Sequence, residues 1–192
     1  MSERKSAATM ALEVLSIVFG VLLALGVSEW AEEREKNELA EIALVNVTNE
    51  LTYNLEVMVR VSENNQKTFE LMKQNLDTEL DDSEEDGQFI PGVQIRATAW
   101  EALLSSGIAN YLDYSTLLAL AEVYSMQSIY KEMGMKIVDA SISMAAMATV
   151  SSVEIDNRQF QAQFFPTFSM LVEMGKSLLV SYQETLDQLK SQ

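Results

Sequence analysis

Glu13 is the single charge in a run of 21 residues, Ala7 to Val27, that is otherwise uncharged and mostly apolar. A carboxyl group there has three uses: an interfacial carboxylate that reaches water, a contact with a partner helix, or a step in a proton relay. Ser16, Gly20, Ala24 and Ser28 follow at steps of four, and Thr9 lies four before Glu13. Small residues at that spacing form a stripe that lets two membrane helices approach closely. Glu13, Ser16, Gly20, Ala24 and Ser28 are therefore the candidate interaction face.

A second carboxylate group is the run from Asp77 to Asp86, with seven acids and no base. Asp82, Glu84, Asp86 and Gly87 have the spacing of positions 1, 3, 5 and 6 of a calcium-binding loop, but the residue at position 12 is Val93 rather than a bidentate Glu. A solvated, self-repelling loop is the simpler expectation. Two carboxylates could also serve a glycoside hydrolase. Solvated helix faces account for most of the acids, and a helical bundle offers no obvious substrate cleft.

Other chemistries are excluded by residue type. The chain has no His, which removes the Ser-His triad, His-ligated zinc and the commonest haem ligand. It has no Cys, hence no disulfide, thiolate or sulfur-ligated metal. Formal charge is −16, and no basic cluster offers a grip on nucleic acid or anionic lipid. The expectation is a non-enzymatic protein with no catalytic, cofactor or metal site.

The elements that carry these residues follow from periodicity. As a helix, Ala7 to Val27 covers about 31 Å, close to the hydrocarbon core of a bilayer. Trp30 then falls at the headgroups. A cleaved signal peptide is the competing reading: Arg4 and Lys5 give a short positive start, and Ala24-Leu25-Gly26 a tolerable cleavage site. The helical pattern continues past Trp30 without a turn residue, which argues for an anchor. The expected organisation is a short tail (1–6), a transmembrane helix (7–30) and a helical domain (31–192) with an acidic loop at 77–92.

Within that domain, Glu29 to about Leu80 reads as one long helix. Ala40, Leu44, Val47, Leu51, Met58 and Val61 keep seam spacing, widened by Leu55. Asn54 and Asn65 fall on the same register, where polar residues can fix pairing. Ser62 to Gln66 is a candidate kink. Ile95 to Ser106 reads as a short helix stopped by Gly107 in the left-handed conformation, with Asp113 or Ser115 capping the next helix. Tyr114 to about Met147 carries a seam through Ala119, Val123, Met126, Tyr130, Met133, Ile137, Ala140, Met144 and Met147. Seven of the 11 Met lie after Ser125, and at this spacing core filling is the favoured use over a partner-binding surface. Glu154 to Pro166 reads as a break, with Pro166 at the start of the last helix. Phe168, Val172, Gly175, Leu179, Tyr182, Leu186 and Leu189 form the last seam, where Gly175 suggests a close helix approach.

The fold expected is all-α: an N-terminal transmembrane helix continuing into an antiparallel bundle of three long helices and one short helix. The short helix and the acidic loop are expected at the far end, with the second long helix returning and the last going out again.

The run Glu13 … Gly20-Val21-Leu22-Leu23-Ala24-Leu25 … Trp30, with Thr98-Ala99-Trp100-Glu101-Ala102-Leu103-Leu104-Ser105-Ser106-Gly107 later, resembles a family of small, functionally uncharacterised bacterial single-span membrane proteins. The resemblance covers roughly the first 130 residues. It implies a single N-terminal span and a helical domain, and supplies no activity or catalytic residues.

Lys and Arg tie across the span: Arg4 and Lys5 before it, Arg34 and Lys36 after. The short tail favours a cytoplasmic N-terminus and a periplasmic domain at a bacterial inner membrane. Expected partners are the membrane and either a second copy or an unidentified membrane protein, not nucleic acid. The alternative function is an extracytoplasmic sensor or ligand-binding module working through a partner, since only about six residues precede the span.

Overall fold

From Trp30 to Asp77 the chain has neither Gly nor Pro, so the helix that begins in the apolar run has no reason to break there, and it does not. In the computed structural model, which describes residues 7–77, 94–151 and 157–191, helix α1 is continuous over Ala7–Asp77, 71 residues. At 1.5 Å per residue that is about 106 Å. The segment Ser62 to Gln66 stays helical. Asn65 is buried and donates to the Tyr130 hydroxyl, while Gln66 donates to Glu70 one turn on.

Among the described residues all elements are helical. Helix α2 is Thr98–Ser105, followed by a 3-10 turn at Ile108–Tyr111; α3 is Tyr114–Ser151 and α4 is Asn157–Lys190. Gly107 between α2 and the 3-10 turn has φ +73°, the left-handed conformation that ends a helix. Asp113 is the residue that caps α3: its Oδ2 accepts from the Thr116 N–H at 2.9 Å and from the hydroxyls of Ser115 and Thr116.

The seams read from the sequence are buried. Val47, Leu51 and Met58 of α1, Val123 and Tyr130 of α3, and Phe168, Val172 and Tyr182 of α4 share one core. Each fully buried large apolar side chain contributes about 1.5–3 kcal/mol. On α3 a second line is buried beside the seam: Thr116, Leu120, Tyr124 and Gln127. In it Tyr124 meets Glu50 of α1 and Trp100 of α2, and Gln127 meets Asn54 of α1 and the Arg96 carbonyl. Trp100 stacks on Tyr124 with ring centroids 5.1 Å apart. Gly175 permits a close approach, since a Cβ there would lie 3.3 Å from Tyr130 Cε2. Met126, Met133 and Met174 pack on the core, whereas Met135 and Met170 are exposed.

Two expectations are corrected. Pro166 lies inside α4, nine residues past its start at Asn157, rather than at the helix start. Proline costs one backbone hydrogen bond, but Pro166 faces solvent, and Phe165 beside it stacks on Phe69 at 5.1 Å. Aromatic packing holds the turn that proline weakens. The short helix is also not at the far end of α1. The start of α2 meets Glu50, and Tyr111 of the 3-10 turn lies under the Lys36 ammonium, 5.7 Å from the ring centroid. As a result Tyr124 meets Glu50, Gln127 meets Asn54 and Tyr130 meets Asn65, with numbers rising together along α1 and α3. It is α4 whose numbers run the other way: Leu44 lies by Leu189, Met58 by Gly175 and Phe69 by Phe165.

Candidate functional site

Glu13, Ser16, Gly20, Ala24 and Ser28 all lie on α1, in the stretch where every described side chain is exposed. At 3.6 residues per turn, steps of four advance about 40° each, so the four small residues sweep about 120° of one side. Nothing lies within 4 Å of a Cβ built on Gly20. The apolar stretch is long enough to cross a membrane, and none of it is buried inside the protein. Met10, Leu15, Phe19, Leu22 and Leu25 are each at least 60% exposed. Trp30 at its end is exposed, with the Arg34 guanidinium 5.9 Å over the ring. Lys36 donates to Glu32, which holds the Lys36 ammonium above its ordinary pKa and the Glu32 carboxyl below its own.

The polar residues that the domain buries form a second cluster. Glu50 is 9% exposed and Asn54 fully buried, one turn apart on α1. The Glu50 carboxylate accepts from the backbone N–H groups of Ala99 (2.9 Å) and Trp100 (3.4 Å) and from the Tyr124 hydroxyl (2.7 Å). Helix α2 starts after Ala97, which has no side chain to cap it. Glu50 supplies the missing cap from another helix. Asn54 brackets Arg96: Nδ2 donates to its carbonyl at 2.7 Å and Oδ1 accepts its N–H at 2.8 Å. Gln127 Nε2 donates to the same carbonyl, and its Oε1 accepts from Asn54 and from the Tyr182 hydroxyl. The Arg96 guanidinium lies 3.8 Å over the Tyr53 ring, and Lys131 donates to the Ile95 carbonyl at 3.3 Å. Segment 95–100 is thereby tied to α1 and α3, and through Gln127 to Tyr182 of α4.

Burial raises the tyrosines of this cluster. The Tyr124 hydroxyl is pushed up by desolvation and then by its bond to Glu50; Tyr182 is pushed up by desolvation and by the charge of Glu50; Tyr130 is pushed up to about 12 by desolvation. All three stay protonated; Tyr124 and Tyr182 donate, and Tyr130 accepts from Asn65. Such groups bind and orient, and their proton is not available for transfer near neutral pH. Sequence reading placed Asn54 on the seam but missed Glu50, Tyr124 and Gln127 as a set.

A groove of about 640 Å³ runs between α2 and α3, lined by Trp100, Glu101, Leu104, Tyr124, Lys131 and Met135 among others. Among the described residues no group of three acids could hold a metal ion. The calcium candidate Asp82, Glu84, Asp86 and Gly87, with Val93, lies outside the described residues. The chain matches no family model, no curated protein sequence and no solved structure.

Proposed function

We propose that the protein is a membrane-anchored, non-enzymatic helical bundle that acts by association, with a second copy or with another membrane protein, through the Glu13, Ser16, Gly20, Ala24 and Ser28 face of its span. The observation that carries this reading is α1 itself. One unbroken helix has a fully exposed apolar end and a bundle-forming end, so a partner gripping the span is coupled rigidly to the domain. We read the domain as an antiparallel bundle, with α4 opposed to α1 and α3; the pairs Leu44–Leu189, Met58–Gly175 and Phe69–Phe165 support it. In this reading the N-terminus is cytoplasmic at a bacterial inner membrane and the domain periplasmic, with Arg4 and Lys5 before the span matched by Arg34 and Lys36 after it. The resemblance to small bacterial single-span proteins fits this placement. The second reading, a ligand-binding module working through a partner, draws on the groove between α2 and α3.

The test is cross-linking of the full-length protein in membranes. Gly20→Leu with Ala24→Leu fills the small side of the span without altering its hydrophobic length. Loss of the cross-linked oligomer or of the co-purified partner is expected. Association undiminished with every partner removes the span face from the proposal.

A further inference from the structure

An eight-residue helix does not persist in water alone, and α2 buries a single residue of its own, Leu103. Beyond that leucine it is held by the Trp100–Tyr124 stack and by Glu50. Every group directed at Glu50 is a donor: two backbone N–H groups from the start of α2 and the Tyr124 hydroxyl from α3. From α4 the titratable group that senses its charge is the Tyr182 hydroxyl, itself given to Gln127. The neighbouring cations are engaged elsewhere, Arg96 on the Tyr53 ring and Lys131 on the Ile95 carbonyl. Among the described residues no ion pair reaches Glu50. A carboxylate, with two acceptor oxygens, satisfies all three donors and lies at the positive end of the α2 dipole. A neutral carboxyl or amide keeps one good acceptor oxygen for three donors and brings a donor of its own, which is met only if the Tyr124 hydroxyl turns to accept and gives up its bond to residue 50, and the attraction to the dipole is lost.

We propose that Glu50 is a charge-operated latch on α2. While it is ionised the short helix stays docked. When the charge is removed, α2 opens as a unit between segment 95–97 and the left-handed Gly107, uncovering Leu103 and the Tyr124 side of the core. The other helices do not depend on this latch, because they bury apolar residues well beyond it: Met58 and Val61 of α1, Tyr130 and Ile137 of α3, Phe168 and Val172 of α4.

Hydrogen exchange of the full-length protein in detergent micelles, resolved by peptide, tests this. In Glu50→Gln the amides of residues 98–105 are expected to exchange about tenfold faster or more, the loss of hydrogen bonds to a charged group, while buried amides of α4 around Val172 to Leu186 keep their protection. Tyr124→Phe, which removes one donor and leaves the charge, is expected to give a smaller rise confined to the same peptide. It also serves if Glu50→Gln does not fold. Equal acceleration in all helices, or unchanged exchange in 98–105 in the folded variants, overturns the latch.

Discussion

Replacing Asn54 separates a core that needs volume from one that needs a particular set of donors and acceptors. In Asn54→Ala the carbonyl of Arg96 keeps its bond from Gln127 Nε2 at 2.8 Å, and Gln127 Oε1 keeps the Tyr182 hydroxyl. The Arg96 N–H loses its acceptor. An orphaned buried donor costs about 1–3 kcal/mol. The vacated space adds a cavity penalty at roughly 24 cal/mol per Å³. The better helix propensity of Ala returns about 0.7 kcal/mol or less. The net expectation is a loss of about 2–3 kcal/mol. Asn54→Asp is nearly isosteric, leaves no cavity and still accepts from Arg96 N–H. Yet it turns the Nδ2 donor into a charged acceptor facing the Arg96 carbonyl and Gln127 Oε1, one turn from the buried Glu50. At neutral pH it is expected to be the more destabilising of the two, because an uncompensated buried charge costs more than a small cavity. Urea unfolding of the full-length protein in micelles, followed by circular dichroism at 222 nm, ranks the variants. If Asn54→Asp is as stable as Asn54→Ala or more so, the network does not discriminate donors from acceptors, and the argument built on it fails.

Gly107→Ala is expected to cost about 1–2 kcal/mol and Gly107→Asn distinctly less, in the same unfolding assay. No atom lies within 4 Å of an added Cβ, so the cost is that of φ +73° alone. Asp113 gives a pH signature. Bonds from Ser115 first, then from the Thr116 N–H and hydroxyl, hold its pKa at about 2 against an ordinary 3.8. A depressed carboxylate contributes stability that is fully present above 3.8 and is lost as pH falls toward 2. Asp113→Asn keeps a capping oxygen but not the charge. The wild-type minus variant difference in unfolding free energy is therefore expected to be flat at neutral pH and to shrink below 3.8. A difference that does not change across that window removes Asp113 as an ionised cap.

Much of the fold was legible because its helices are long and their burial is one-sided. The seams on α1, α3 and α4 are all buried or half-buried where their side chains are described, and the spacing of Val123, Tyr130 and Ile137 needed no tertiary knowledge. The apolar N-terminal helix was legible for the same reason, a long run with Glu13 as its single charge. Pro166 was misread because local propensity marks proline as a start, whereas Phe165 on Phe69 and Phe168 in the core keep the turns on both sides helical. Helix order was misread because nothing local says where a short helix lands. α2 runs back along α1 from Glu50 toward Lys36, and this one placement sends α3 outward beside α1 and leaves α4 to return.

Glu50 was hidden by a rule that is usually right. An acid on a long charged helix is taken as solvated, and its seam neighbours Val47, Leu51 and Asn54 do not by themselves change that. The signal lay elsewhere in the chain. Thr98 is a capping type of residue near the start of the short helix. The structure puts Thr98 inside the first turn and Ala97 before it, so the N–H groups of Ala99 and Trp100 begin with no local acceptor. Buried helix starts must find acceptors somewhere. A helix that starts on alanine, next to a tryptophan large enough to draw it into the core, therefore demands an acid from a distant element. On the exposed face of α1 no such demand exists. Two acids of this chain thus mark where helices begin, Asp113 from its own sequence neighbourhood and Glu50 from a distant helix.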